Sequence, residues 1–409
     1  MAADDLAHPR LGQPYDAIAR AGRRVARWAV SIESPAIVVG AMKRSNESDL
    51  DVGPIAEPLE ILSRSLDREA GLHALGRIDA RRTLRQLLAT RARLVDLARR
   101  RPDVVATPIA PPIVVTGMPG AGTAVLHRLL ARDPGLRHLP AWEARSPLPM
   151  GRLDDPDAPV DDRMTMARRA ATSLERRAPG AHEGAVTDPD DDQWLLGVGL
   201  GSMCFEARWN VPAFAEWYDA ADLGDAYRTF RDLLAVLQWY RPADRWVLRS
   251  PQHAERLATL LEVFPGATVV QVHRDPAAAV VRTAVLIARR RRLGTFDVSP
   301  PTIGRYWAWR IERLVSRSID QRDATGANVV DVRFEDLQAD PLSVVEEVYR
   351  AAGGTLSPEA RIEMEREVRE GPARNLGGSA ARPEDVGLDP VELRGRFAGY
   401  VDRFGVTPD

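Results

Sequence analysis

PPIVVTGMPGAGTAVLHRLLARDP, residues 111–134, is the stretch on which the fold turns. Two prolines end a helical pattern, and an apolar run (Ile113-Val114-Val115) follows with no polar alternation. Such a run suits a parallel strand covered on both faces. A glycine turn comes next, from Gly117 to Gly122, and then a run with helical character from Thr123. Three later segments match the first strand: WVLRS at 246–250, TVVQVHR at 268–274 and NVVDVRF at 328–334. Helical stretches lie between and beside them, near 252–263, 276–292 and 301–321. Buried strands alternating with helices predict a three-layer α/β domain with a central parallel sheet.

Outside that frame the chain adds helices at two places. Residues 1–105 form a helical N-terminal extension: Leu59, Ile61, Leu62 and Leu66, then Leu84, Leu87, Leu88, Leu94 and Leu97, recur near helical spacing. Residues 106–409 form the α/β domain, and within it the interval of about 150–243 is too long for a simple crossover. It is expected to be a helical insertion, with periodicity around 162–178 and 223–240, and the family resemblance given below implies that it faces the substrate. GRLDDPDAPVDD at 151–162 is expected as a surface loop, and 371–390 as an extended segment over the domain. The arginines 289–292 are expected to close a helix as a solvated end, where cations suit the dipole.

Composition narrows the function classes. The chain has 409 residues, 56 basic against 58 acidic side chains, a formal charge of −2 and 44% hydrophobic residues. A near-neutral balance supplies no global field for nucleic acid or an anionic membrane. Cys204 is the only cysteine, which excludes an internal disulfide and a multi-cysteine zinc site. The first residues lack the pattern of a signal peptide and no apolar run approaches a membrane span, so a soluble, cytoplasmic protein is expected. Lys43 is the only lysine. No mechanism can place a lysine in the central or C-terminal part of the chain.

The glycine turn is a candidate phosphate cradle. Glycines bring backbone N–H groups close to an anion, and the following helix N-terminus adds positive potential. Gly117 and Gly122 have the spacing of the nucleotide-triphosphate loop GxxxxGK[ST], but Thr123 and Ala124 stand where its lysine and hydroxyl belong. Kinase or triphosphatase chemistry is thereby disfavoured. A tight turn with no ligand is the plain alternative.

Taken in order, PPIVVTGMPGAGTAVLHRLLARDP, LPAWEARSPLP, TDPDDDQWLL, RWVLRSPQHAERLATLLEVFPGATVVQVHRDP, VRFEDLQADP and VGLDPVELRGRFAGYVDRFG resemble the bacterial sulfotransferases that use 3′-phosphoadenosine 5′-phosphosulfate (PAPS). The resemblance runs from about residue 60 to the C-terminus. It implies a P-loop-like sulfotransferase fold and a nucleotide-binding transferase of secondary metabolism. The reaction implied is direct in-line transfer of a sulfuryl group to a hydroxyl of a small, largely apolar metabolite. No metal and no covalent intermediate are implied, and a homodimer stays open. The phosphosulfate loop corresponds to Met118 through Ala124, with Pro119, Gly120, Ala121, Gly122 and Thr123 between them. Arg274 would grip the 3′-phosphate of PAPS or of its spent form PAP, a task suited to a planar guanidinium. His253, at a helix start near the sheet's C-terminal edge, is a candidate base for the acceptor hydroxyl; Glu143 is a second. A structural hydrogen bond and a salt bridge are their plain alternatives.

Departures from the family pattern sit where the chemistry belongs. The family's basic loop residue is Gly120, its hydroxyl residue is Ala124, its lysine before the SPQH serine is Arg249, and a serine eight positions after Arg274 is Arg282. Arg249 then becomes the candidate to assist the leaving oxygens, and Arg282 to strengthen the 3′-phosphate contact. A second function follows from the same departures: a sulfotransferase fold that has left PAPS behind and runs a donor-independent cyclisation, elimination or rearrangement, or a non-catalytic binder. Restoring Gly120→Arg and Ala124→Thr is the sequence-based way to separate them. Asp188, Asp190, Asp191 and Asp192 lack the ligand order of a calcium loop and fit a helix N-terminus, with a place in the acceptor pocket as the alternative. Trp194, Phe205, Trp209, Phe214, Trp217 and Tyr218 are expected mainly in the core, with a few walling an apolar pocket.

Overall fold

The computed structural model describes residues 13–21, 30–45, 50–149, 162–178, 184–370 and 381–408. The acidic stretch 151–161 and the tail residues 371–380 lie outside them. In chain order, the elements that build the site and its surroundings begin with two N-terminal helices, α1 (Ser34–Ser45) and α2 (Ala74–Arg100). Strand β1 (Ile113–Thr116) and helix α3 (Thr123–Leu130) flank the glycine turn, followed by β2 (Leu136–Arg137) and α4 (Ala141–Arg145). The insertion contributes α5 (Gln193–Val198) and α6 (Gly224–Tyr240). Then come β3 (Arg245–Arg249), α7 (Gln252–Glu255), β4 (Thr268–His273), α8 (Pro276–Arg291), α9 (Pro300–Thr325) and β5 (Val329–Arg333).

The five strands form one parallel sheet in the order β2-β3-β1-β4-β5. Val114 pairs with Leu248 on one side and Val269 on the other, so β1 is central. Its side chains alternate between two cores. Ile113 and Val115 pack with Val247, Val270 and Leu126 beneath α3 and the C-terminal helices, while Val114 joins Leu248 and Val269 on the opposite face. Both faces are therefore dry, which explains why the strand sequences are apolar without alternation. The second core continues through Phe230 and Leu234 of α6 into Leu84 and Leu88 of α2, so the N-terminal helices share it with the insertion.

Local chemistry sets the helix starts. Asp275 accepts a hydrogen bond from the Ala277 amide with Pro276 in the first turn, and Ser299 does the same for Thr302 before Pro300. The order around β1 reverses the direction of winding, since the chain crosses from β3 on one side to β4 on the other. The crevice at that switch point, outside the strands' C-terminal ends, is where such sheets bind ligands.

The structure corrects two expectations. Arg291 and Arg292 are buried; Arg291 donates to the Glu206 carbonyl at 2.8 Å and to Asn210 Oδ1 at 3.3 Å. Only Arg289 and Arg290 lie exposed, because the helix end turns into the insertion rather than into water. The tail over the domain is partly a tight turn: Pro383–Val386 is a 3₁₀ helix packed so closely on α9 that a Cβ on Gly304 would lie 2.2 Å from the Val386 carbonyl.

Candidate active site

The glycine turn leaves β1 with Gly117, Gly120 and Gly122 at φ of 141°, 86° and 95°, a region that L side chains avoid. Each is closely enclosed. A Cβ on Gly117 would meet the Val272 carbonyl at 2.5 Å, one on Gly120 the Ala279 carbonyl at 2.8 Å, and one on Gly122 the Phe334 ring at 2.4 Å. Thr283 of α8 donates its hydroxyl to the Pro119 carbonyl at 3.1 Å, and the Ala121 amide bonds the Met118 carbonyl. The loop is thus pinned between β4, α8 and Phe334. The N–H groups of Gly120, Gly122, Thr123 and Ala124 find no acceptor among the described residues. Gathered at the start of α3, they form a cradle of positive dipole.

Arg249 ends β3, the strand beside β1, at the same edge of the sheet as the glycine turn. Its Nε is buried with no partner, and its Nη2 lies 3.8 Å from Asp191 Oδ2. An orphaned buried guanidinium N–H is costly unless an anion completes it. The backbone of Arg249 is locked to the insertion: its amide donates to Asp192 Oδ2 at 2.7 Å, and its carbonyl accepts from the Asp192 amide at 3.0 Å.

Asp192 is the hub of the site. The same Oδ2 lies 3.2 Å from His253 Nε2, while Tyr227 Oη is 2.9 Å from His253 Nδ1. With Nε2–H donating to the carboxylate, Nδ1 accepts from the tyrosine hydroxyl. His253 is completely buried and both its nitrogens are engaged. Beside it, Gln252 donates to the Gly201 carbonyl and accepts from the Met203 amide. The SPQH segment therefore ties β3 to the insertion through Gln252 and His253. Burial raises the Asp192 pKa above the usual carboxylate range, opposed by the hydrogen bond from His253.

Asp191 differs from its neighbour. Its side chain remains 25% exposed, yet burial by the surrounding walls, followed by repulsion from Asp190, pushes its pKa up to about 6. Arg249 and Arg290 oppose the shift. Trp194, in the first turn of α5, is half-buried with Arg145 Cζ 4.1 Å and Arg208 Cζ 5.5 Å from its ring. Of the other aromatic candidates, Phe205, Trp209, Phe214 and Tyr218 are in the core, and Trp217 is half-buried against it.

Glu143 is 1% exposed and held by Arg241 at 2.7 Å and Arg137 at 3.3 Å. The structure places its carboxylate in an ion pair with two guanidinium groups. Arg274 stacks on Phe334, 3.9 Å from the ring centroid, directly beyond β4. Arg282 is half-buried on α8, beside the loop-bracing Thr283. Phe334 thus touches both the glycine turn and Arg274, a role no local pattern announced. His273, preceding Arg274, bonds Tyr400 Oη at 2.6 Å and Asp331 Oδ1 at 2.8 Å, which fixes the strand end. Among the described residues no group of His, Cys, Asp and Glu is arranged to hold a metal ion.

The chain belongs to the sulfotransferase family, whose model matches residues 111–358. Curated relatives from Mycobacterium bovis and Mycobacterium tuberculosis, each an omega-hydroxy-β-dihydromenaquinone-9 sulfotransferase Stf3, are 26% identical over 260 residues, 59% of this chain. The chain spans 63% of the length of those relatives. Two solved structures share the fold. Sulfotransferase STF9 from Mycobacterium avium superposes with a TM-score of 0.81 at 24% identity, covering 92% of this chain and 97% of that one. Sulfotransferase STF1 from Mycobacterium tuberculosis H37Rv gives 0.76 at 28% identity, covering 89% and 97%. The expected three-layer α/β fold with its central parallel sheet is therefore the fold observed.

Proposed function

We propose that the protein transfers a sulfuryl group from PAPS to a hydroxyl of a small, largely apolar acceptor. The observation that carries this reading is the cradle itself: four amides at the start of α3 with no acceptor among the described residues, and, at the end of the neighbouring strand, Arg249 with its Nε orphaned. This donor set suits a phosphosulfate, because its only formal charge is a guanidinium and its other donors are fixed backbone dipoles. Thr123 and Arg249 replace part of what the family's basic loop residue supplies. Arg274, stacked on Phe334, and Arg282 would hold the 3′-phosphate.

PAPS supplies the activated sulfuryl group. The chain's own residues orient it and move the acceptor proton. Asp191 is the best placed proton acceptor, since it lies partly exposed beside Arg249 and burial pushes its pKa up to about 6. His253 acts through Asp192 as a positioning residue: buried and doubly hydrogen-bonded, it fixes the carboxylate that pins Arg249. Glu143 is assigned to structure. The half-buried Trp194 offers the acceptor an aromatic wall, and the Stf3 relatives are named for a hydroxylated menaquinone derivative, a larger molecule that is likewise apolar and carries a hydroxyl.

Calorimetric titration with 3′-phosphoadenosine 5′-phosphate tests the donor half of the proposal. Micromolar binding that is lost in Arg274→Ala is expected. No heat at millimolar nucleotide overturns PAPS use and leaves Asp191 to a donor-independent acid–base reaction.

A further inference from the structure

Away from the catalytic crevice, α1 and α2 lie side by side, and a cavity of about 220 Å³ opens between them. Its lining is Gly40, Arg44, Ile78, Arg81, Arg82 and Arg85, with no acid among these residues. The guanidinium of Arg85 lies over Gly40, where a Cβ would come within 2.0 Å of its Nε. That Nε is buried without a partner, while Nη2 donates to the Ala36 carbonyl at 3.0 Å. Arg44 donates to Gln86 Oε1 at 2.7 Å. Arg81 and Arg82 make no hydrogen bond or ion pair among the described residues. Burial and the nearby Arg82 lower the pKa of Arg44; burial and Arg81 do the same to Arg85.

Four guanidinium groups around one cavity repel each other, and nothing in the lining offsets them. The chain as a whole carries a formal charge of −2, so this cluster is not a by-product of a basic protein. Ile78 of the lining is 45% exposed, and Val39, next in sequence to Gly40, is 52% exposed. Lys43, one residue before Arg44, is also exposed. Cations placed beside exposed aliphatic side chains on a helical face match an interface of anionic headgroups over hydrocarbon. A small soluble anion would need the arginines but would leave Val39 and Ile78 without purpose.

We propose that the α1–α2 face docks the protein on an anionic phospholipid surface, with a lipid phosphate in the arginine cavity and Val39 and Ile78 at the acyl boundary. The attachment is peripheral, consistent with the finding that no helix among the described residues is long and apolar enough to cross a membrane. It does not depend on the reaction proposed above. Each basic side chain near such a surface contributes about fivefold in affinity.

The test is sedimentation of the full chain with vesicles of phosphatidylcholine alone, or of phosphatidylcholine and phosphatidylglycerol in equal parts. Binding to the mixed vesicles only, weakened by added salt, is expected. The double variant Arg81→Ala/Arg82→Ala should lose about 25-fold, since two cations are removed. Neither side chain has a hydrogen-bond or ion-pair partner among the described residues, and an unchanged melting temperature confirms folding. Val39→Ser should weaken binding without changing its salt dependence. Equal binding to both vesicle types, or undiminished binding by the double variant, overturns the proposal. So does stabilisation by inorganic phosphate or inositol hexakisphosphate without vesicle binding, which would make the cavity a site for a soluble phosphorylated ligand.

Discussion

Sequence comparison alone suggests that Gly120→Arg, by returning the family's usual basic loop residue, should strengthen donor binding. The structure predicts the opposite. Gly120 holds φ at 86°, and a Cβ there would sit 2.8 Å from the Ala279 carbonyl and 3.1 Å from its Cα, both backbone atoms of α8. A left-handed L residue costs about 1–2 kcal/mol, and forcing atoms into a closed contact adds about 1–3 kcal/mol. The loop relieves that strain by leaving the geometry that points its amides at one anion. Restoring the geometry on binding then costs about 2–5 kcal/mol, against about 1.5–3 kcal/mol from one new charged hydrogen bond. Gly120→Ala isolates the strain, and calorimetry with 3′-phosphoadenosine 5′-phosphate should show a loss of tenfold or more. Gly120→Arg, with strain and charge together, should not bind more tightly than the unaltered protein. Tighter binding by the arginine variant, or unchanged binding by the alanine variant, refutes this reasoning.

Four further outcomes follow. kcat/KM should rise with pH through about 6 as Asp191 ionises, and Asp191→Asn should lower kcat by about 10²–10⁴ and abolish that limb of the profile. The same variant should be the more stable above pH 6, because the fold favours the protonated acid. The difference, at most about 3 kcal/mol, should shrink as pH falls from about 6 and vanish only well below the unfolded value of 3.8, where the aspartate is neutral in both states; urea unfolding on either side of that window measures it. Glu143→Ala should destabilise by about 3–5 kcal/mol, since it leaves Arg137 buried without its partner, while kcat of the folded protein is unchanged. Phe334→Leu should weaken nucleotide binding about fivefold or more, because Arg274 loses the ring on which its guanidinium rests; titration of the variant decides.

The sheet was largely legible in the sequence because doubly covered parallel strands leave continuous apolar runs, and the runs at 113–115, 246–250, 268–274 and 328–334 all became strands. Leu136-Arg137 escaped notice: two residues at an edge carry no periodicity, and only pairing with Arg245 and Trp246 makes them a strand. The glycine turn declared itself locally. What it touches did not, since the contacts with Ala279, Thr283 and Phe334 come from residues more than 150 positions away. Asp192 and His253 were each visible as separate features 61 residues apart, yet only the packing of the insertion on β3 brings carboxylate and imidazole together. A basic run such as 289–292 resembles a solvated helix end, and the acceptors that bury Arg291 belong to the insertion.

The lone lysine has a practical consequence. Lys43 is exposed on α1, one residue from an arginine of the α1–α2 cavity, and every other basic side chain is a guanidinium. Amine-selective reagents therefore address one side chain of the whole chain, and address it on the face proposed to dock. A polarity-sensitive dye attached there would report contact with vesicles directly, without engineered cysteines. A residue type present only once in the chain becomes the molecule's built-in handle.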